Sequence, residues 1–415
     1  MVTPAKVLKK WSLFEGDKVI WMILFFLAMI SIIEVYSASS NMSYKTGYYW
    51  KPILQHGGCF LLGGVATILV HKIPCRYFKL IPVFGLPLSV FMLVLVMFMP
   101  KLNNASRWLW GFQPSEFGKA VLVATVALIL ASMRDEVGAQ RRAFKWILGV
   151  SVVICGLIVP ENFSTAGLAF LVVLLMMFVG GIPWKQLGSL VGIIVIAGAC
   201  LFTFFRFAPD STLSTLSECP GLHRLPTWAN RVRGHGDMPE SAAEYDITKN
   251  PQVTHARIAI ATCNVIGRGP GNSVERDFLP QSFSDFIYAI VIEELGLGGG
   301  AFVMFLYIVL LFRSARIASR CERNFPAFLV MGLSLMMVTQ AMVNMAVAVG
   351  VFPVTGQPLP LISKGGTSIL INCVYLGVIL SVSRSAKQKS QAEDDGIGAD
   401  GIPAAPLAKR DAGEA

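Results

Sequence analysis

The sequence predicts an all-α polytopic membrane protein of about ten transmembrane helices, with a large extracytoplasmic loop before the eighth. Three observations lead there. Of 415 residues, 54% are hydrophobic and only 14% charged, where a soluble domain carries about a quarter charged residues. Apolar runs close to the ~20 residues that a helix needs to cross a bilayer recur along most of the chain. The charges that remain gather mostly between those runs.

Spans fall near 19–38, 53–71, 80–99, 117–133, 146–160, 165–182, 186–206, 286–312, 326–348 and 367–383. The first begins after "MVTPAKVLKKWSLFEGDK" and many follow, so it reads as a retained helix and not a cleaved signal. With the N-terminus inside, the short outer loops hold only Lys45, Lys51, Lys101, Arg107 and Lys364, while Lys and Arg crowd the inner segments. That asymmetry places both termini in the cytoplasm. It also accounts for the net charge of +10, and nucleic-acid binding is a poor explanation of it. Residues 1–18 are then a cytoplasmic N-terminus, 19–383 the membrane domain and 384–415 a cytoplasmic tail. The tail is small, polar and rich in Gly and Pro, a composition that stays disordered.

Two stretches of the membrane domain depart from the helical pattern. Residues 207–284 form the large outer loop. Its first part is polar and punctuated by Pro and Gly, so it reads as irregular, and 210–245 is either a functional loop or a docking decoration. Its second part, "PQVTHARIAIATCNVIGRG", suits a helix lying on the membrane or on the bundle. Residues 349–366, "VGVFPVTGQPLPLISKGG", hold three prolines and four glycines and cannot continue a helix. Unpaired backbone is not tolerated against lipid, so this segment must be re-entrant or line a cavity. The eight cysteines contain no CxxC and the five histidines no paired ligand spacing. Cys219 and Cys263 share the outer loop and are able to pair, although pairing cannot be read from sequence.

Charges beside or inside the apolar runs are costly and so become candidates for function. Glu116 and Lys119 in "QPSEFGKA" lie three apart on one helical face. They form an ion pair that fixes packing, the simpler reading, or line a polar cavity open to the outside. Arg107, beside Trp108 and Trp110, suits interfacial anchoring or capture of a phosphate by its planar fork of donors. Glu161 and Asn162 in "PENFSTAG" fall near the same leaflet. In "SFSDFIYAIVIEELG", Asp285 falls in the first turn of the eighth span. There the helix dipole and outside water keep it ionised, as a general base must be, although on local sequence alone a simple N-cap is the better reading. Glu293 and Glu294 would lie about 12–13 Å deeper on the same helix, where contacts that stabilise the bundle suit them. Asp277, eight residues before Asp285, is a second carboxylate at the membrane surface.

These segments together resemble the SEDS family, the multi-spanning peptidoglycan polymerases typified by RodA and FtsW. The matching runs are "GDKVIW…EVYSASS", "NNASRWLW" with "QPSEFGK", "PENFSTAG", "GRGPGNSVERDFLPQSFSDFIYAIVIEELG" and "QAMVNMAVAVGVFPVTGQPLPLISKGGTS", spread over 17–383. Within the family, "GNSVERDFLP" is more similar to the division type than to the elongation type. The resemblance implies a glycosyltransferase that polymerises lipid II, the undecaprenyl-pyrophosphate-linked substrate, at the outer face of the bacterial cytoplasmic membrane for septal wall synthesis. The family's essential aspartate carries over to Asp285, and its acidic loop residue to Asp277. "PENFS" stands where many relatives have "PDFGT", so a carboxylate role does not carry over to Asn162, and Glu161 is the neighbouring candidate. The implied partners are a class B penicillin-binding protein transpeptidase and other membrane proteins of the division machinery.

The chemistry needs a base to take the proton from the acceptor sugar hydroxyl as it attacks the donor's anomeric carbon. Arg107 or a divalent cation, Mg or Mn, would stabilise the leaving pyrophosphate. No organic cofactor is implied. Glu116, Lys119 and the 353–366 loop, with Ser363 and Lys364, would line a cavity that admits the lipid tails. A flippase for lipid II and a non-catalytic scaffold of the division machinery are the rival readings.

Overall fold

The computed structural model describes residues 14–38, 50–99, 107–133, 139–217, 224–236, 251–279 and 283–394. The first seven helices are α1 (Lys18–Ala38), α2 (Lys51–Lys72), α3 (Leu80–Met97), α4 (Pro114–Ser132), α5 (Ala139–Ile158), α6 (Phe163–Val179) and α7 (Trp184–Phe207). Three shorter ones follow, α8 (Asp210–Ser217), α9 (Leu225–Gly236) and α10 (Pro251–Ala261). The chain then enters α11 (Ile287–Ser319), α12 (Asn324–Ala348) and α13 (Gly366–Asp394). Among the described residues, eight helices are long and apolar enough to cross a membrane, and α6 is a shorter apolar one. With α5, which opens on Arg141, Arg142 and Lys145, every expected span coincides with a helix. This is a multi-pass membrane protein.

The core centres on α12. Its Leu329, Val330, Leu333, Met336, Met337 and Ala341 are buried among Val123 and Val126 of α4, Val172 and Met176 of α6, and Leu306 and Leu310 of α11. Because α12 is apolar all round, it sits inside the bundle and not at its edge. α7 is the opposite case, with only Leu187 and Phe205 buried. Its Ile193, Val195, Ile196 and Phe202 are exposed and fit a lipid-facing wall.

Two anchors define the ends of the bundle. At one, Arg313 Nε of α11 donates to Asp17 Oδ2 at 3.0 Å, just before α1 begins. At the other, Ser37 near the end of α1 donates to Glu294. Roughly 28 Å of helix separates Glu294 from Arg313, about the length of α1. Asn344, near the end of α12, in turn holds the backbone of Asp285. Asp285 and Glu294 therefore lie at the same face of the bundle, the site face. The expectation that the glutamates sit about 12–13 Å below Asp285 assumed a straight helix, and α11 is not straight. It breaks at Gly296, where φ is 76° and ψ −180°.

A break leaves N–H and C=O groups without partners, and the chain after α10 supplies them. Arg268 N donates to Glu293 O at 3.0 Å and Gly269 N to Glu294 O at 2.8 Å. In return Leu297 N donates to Asn264 O and Gly298 N to Val265 O, both at 3.2 Å. The glutamate side chains hold the same strap. Glu293 accepts from Val274 N at 2.9 Å and from Ser273 Oγ, and pairs with Arg268 at 3.2 Å. Glu294 accepts from Gly271 N at 2.9 Å.

The structure departs from the sequence reading elsewhere too. The first part of the outer loop is not irregular among its described residues: α8 and α9 form there because Phe205, Leu213, Leu225 and Ala229 bury one another. α13 continues to Asp394, past the expected start of the tail. Cys219 lies outside the described residues, as does most of the tail.

Candidate active site

Asp285 does not begin the helix. It occupies a turn over 283–286, and Phe286 precedes α11 with no side-chain cap. The simple N-cap reading therefore falls. Freed of that role, the half-buried carboxylate accepts from Ser284 Oγ at 2.8 Å and faces Arg231 and Arg107. Gly356 brings loop backbone against it: a Cβ there would meet Asp285 Oδ2 at 3.4 Å and Arg231 Nη2 at 3.8 Å.

The arginines converge from distant parts of the chain. Arg107 precedes α4 and donates from Nε to Glu161 O at 3.2 Å. Arg224, just before α9, donates to the same carbonyl. Arg231 on α9 reaches Thr355 O at 3.4 Å. Their mounting is apolar: Trp228 of α9 lies 5.2 Å from Phe163 at the start of α6 and 6.4 Å from Phe205 of α7. Three guanidinium groups thus stand against the carboxylates of Asp285 and Glu161, an excess of positive charge suited to an anion.

Burial lowers Arg107 to about 10, and the like charges of Arg224 and Arg231 add to this while Asp285 and Glu161 oppose it. Arg231 and Arg224 are lowered mainly by burial as well. All three remain cationic at neutral pH. Burial raises the Asp285 carboxyl above its ordinary value, and the Ser284 hydroxyl, Arg231 and Arg107 pull it back. A base so balanced is more basic than a free carboxylate yet still able to ionise.

Beneath this cluster, the 349–365 segment is held from all sides. Gln340 Nε2 donates to Pro358 O at 2.9 Å, and Asn344 Nδ2 donates to Gln357 O at 2.7 Å. Gln357 Nε2 reaches Thr165 Oγ1 at 2.7 Å, and Ser31 Oγ reaches Ile362 O at 2.7 Å. Ser363 Oγ donates to Ser284 O at 2.6 Å, and Lys364 N to Phe283 O at 2.9 Å. The Lys364 ammonium lies 4.8 Å from the centre of the Phe283 ring, and burial lowers its pKa. Lys119 Nζ meets Glu116 Oε1 at 2.8 Å and Gln340 Oε1 at 2.9 Å. That pair is a buried strut linking α4 to α12 and, through Gln340, to the loop.

The sequence candidates therefore divide. Arg107, Glu161 and Asp285 come together, Glu161 by way of its main-chain oxygen as well as its charge. Ser363 and Lys364 hold the turn that carries Asp285, while Glu116 and Lys119 support the floor. Asp277 sits on the 3₁₀ turn Glu275–Asp277, its side chain 51% exposed and 3.8 Å from Arg276 of the strap.

With the geometry in place, known proteins give it a context. The model of the cell cycle proteins FtsW, RodA and SpoVE matches residues 17–388. The chain belongs to that family. A "Probable peptidoglycan glycosyltransferase FtsW" of Halomonas elongata is 30% identical over 383 residues, covering 88% of this chain and 90% of that protein. The protein of the same name from Bacillus subtilis is 27% identical over 368 residues, 87% and 86% of the two chains. Among solved structures, a chain from "Structural coordination of polymerization and crosslinking by a peptidoglycan synthase complex" is similar with a TM-score of 0.70. It is 22% identical and covers 90% of this chain and 99% of its own. The rod shape determining protein RodA of Thermus thermophilus gives 0.58 at 21% identity, covering 89% and 97%.

In this member of the FtsW/RodA/SpoVE family, the charges that face the Asp285 carboxylate are the guanidinium groups of Arg231 and Arg107. Among the described residues, no group of three or more His, Cys, Asp or Glu could hold a metal ion, so a divalent cation there would rest on Asp285 and the substrate's own phosphates. The sequence reading missed Arg224, Arg231, Asn344 and Gln357. For the arginines a signal existed in "GLHRLPTWANRVRG", basic residues spaced around a tryptophan in an outer loop. For the two amides there was none, since each has meaning only through backbone it meets in space.

Proposed function

We propose that this chain is an inverting peptidoglycan glycosyltransferase that polymerises lipid II, with the site face extracytoplasmic and both termini cytoplasmic. One observation carries the reading: a half-buried carboxylate, Asp285, facing Arg107 and Arg231 at the end of the bundle, with Arg224 beside Arg107. The names of the family relatives support it.

Asp285 accepts the proton of the acceptor sugar's 4-hydroxyl. That oxygen forms a bond to the donor's anomeric carbon from the face opposite the leaving group. The bond from that carbon to the lipid-linked pyrophosphate breaks, and its electron pair leaves with the pyrophosphate. Arg107, Arg224 and Arg231 lie where they would neutralise the charge that develops there. The guanidinium groups supply that neutralisation from the protein side, and a divalent cation held by the substrate's own phosphates would add to it. A class B penicillin-binding protein transpeptidase is the proposed partner, with other division membrane proteins. The synthase-complex neighbour supports a pairing of polymerisation with crosslinking.

The test uses the full chain, purified alone and with that transpeptidase, and fluorescent lipid II. Wild-type protein is expected to yield a ladder of glycan chains, and Asp285→Asn to lose about 10²–10⁴ of the rate. Chains made equally fast by a folded Asp285→Asn protein would remove the base assignment. Accelerated lipid II flipping without chains would favour a transporter, and neither activity a scaffold.

A further inference from the structure

The turn that carries Asp285 is held from outside. Within a helix, the carbonyls of 283, 284 and 285 would accept from N–H groups four residues on. Here Phe283 O accepts from Lys364 N at 2.9 Å, Ser284 O from Ser363 Oγ at 2.6 Å, and Asp285 O from Asn344 Nδ2 at 2.8 Å. Two of these donors belong to the loop before α13. The third comes from the core helix α12, and it touches the reactive residue's own backbone.

We propose that Asn344 is a positioning residue for the transfer reaction, fixing through its amide the direction in which Asp285 presents its carboxylate. The inference rests on the polymerase reading above. Asn344 Nδ2 spends its two hydrogens on two carbonyls, Asp285 O at 2.8 Å and Gln357 O at 2.7 Å. Gln357 passes the restraint to Thr165 of α6 at 2.7 Å, three residues beyond the Asn162 that caps that helix. One amide therefore ties the base, the loop and the segment that receives Arg107 and Arg224 into a single frame.

Asn344 is locked in one orientation by its surroundings. The residue is 1% exposed, and its Oδ1 finds no donor among the described residues. Reversing the amide would set that oxygen against two carbonyl oxygens, so its orientation is fixed. An apolar side chain there would leave the carbonyls of Asp285 and Gln357 without this donor, and the cost would fall on the turn that carries Asp285. What an apolar side chain lacks is the pair of donors. A reacting group displaced by about 1 Å loses on the order of 10²-fold in rate, which is the scale of effect that such a frame prevents.

The experiment compares wild type, Asn344→Ala, Asn344→Asp and Asn344→Gln as purified full chains with fluorescent lipid II, resolving kcat from KM across pH. Asn344→Ala and Asn344→Asp are expected to lose on the order of 10²-fold in kcat with KM within about threefold. Their acidic limb should move to higher pH, because the carboxyl drifts from Arg231 and Arg107. Asn344→Gln keeps the donors on a longer stem and should recover part of kcat. Ser363→Ala frees the neighbouring carbonyl without touching α12 and should show the same kcat loss, so a misfolded Asn344 variant does not shield the idea. Wild-type kcat in Asn344→Ala or Asn344→Asp, or kcat and KM altered in proportion with an unmoved limb, would overturn it. An inactive wild type would instead overturn the polymerase reading, and this inference with it.

Discussion

Gly267 of the strap and Gly296 of α11 meet backbone to backbone. A Cβ on Gly267 would lie 2.3 Å from Gly296 N, and one on Gly296 would lie 2.3 Å from Val265 O. Both glycines have positive φ, 81° and 76°. Gly296→Ala should therefore destabilise the protein by at least the ~1–3 kcal/mol of its backbone strain. The clash then pushes the strap out of the break. The check is thermal unfolding in detergent together with proteolysis between Cys263 and Ser273. An unchanged melting temperature and cleavage pattern would mean that the strap does not depend on this contact.

The opposing influences on Asp285 make its ionisation adjustable. Burial raises its pKa, and Arg231 is one of the groups that pull it down. In Arg231→Met the carboxyl should rise further, so a larger share is protonated at the acid end of the profile and unable to accept a proton. The acidic limb of the rate should move to higher pH, with activity on the order of tenfold lower at the acid end. A uniform loss at every pH, with the limb in place, would show that Arg231 serves only the leaving group.

Gly356→Ala probes how closely the loop must approach the base. Its φ is 66°, and its added methyl would reach van der Waals contact with Asp285 Oδ2 and Arg231 Nη2. Strain of about 1–2 kcal/mol should lower stability modestly, while polymerisation falls because the loop shifts against Asp285 and Arg231 to relieve it. Measuring melting temperature beside kcat separates the two. Normal kcat in the variant would refute the close-contact account.

The buried strut should fail asymmetrically. Lys119→Met leaves Glu116 charged at 4% exposure without its partner, a loss of about 3–5 kcal/mol. Adding Glu116→Gln should return much of it, since a neutral amide is easier to bury. The readout is folded yield and melting temperature of the single and double variants. A double variant no better than the single would mean that the Lys119 contact to Gln340, and not the ion pair, supports the floor.

The spans were legible in the sequence because apolar runs of bilayer length admit few other structures. Asp285 and Arg107 stood out because charge beside lipid is costly and so rare. The break at Gly296 was not legible: glycines 296, 298, 299 and 300 read equally well as tight packing in a straight helix. Only the strap lying against them shows that Gly296 ends one helix direction and starts another. α8 and α9 were missed for a related reason, since a polar stretch becomes helical there by burying Leu213 and Leu225 against Phe205 of a preceding span.

By itself, then, the sequence determined the membrane class and the order of the helices, and marked Asp285 as a charge beside lipid. These follow from local hydropathy and from the cost of charge in lipid, which each segment carries alone. The tertiary structure decided that Arg231 and Arg107 face Asp285, that the two glutamates clamp a strap, and that Asn344 donates to the Asp285 carbonyl. Those depend on contacts between residues tens to hundreds of positions apart, and no short stretch of chain encodes which distant backbone it will meet.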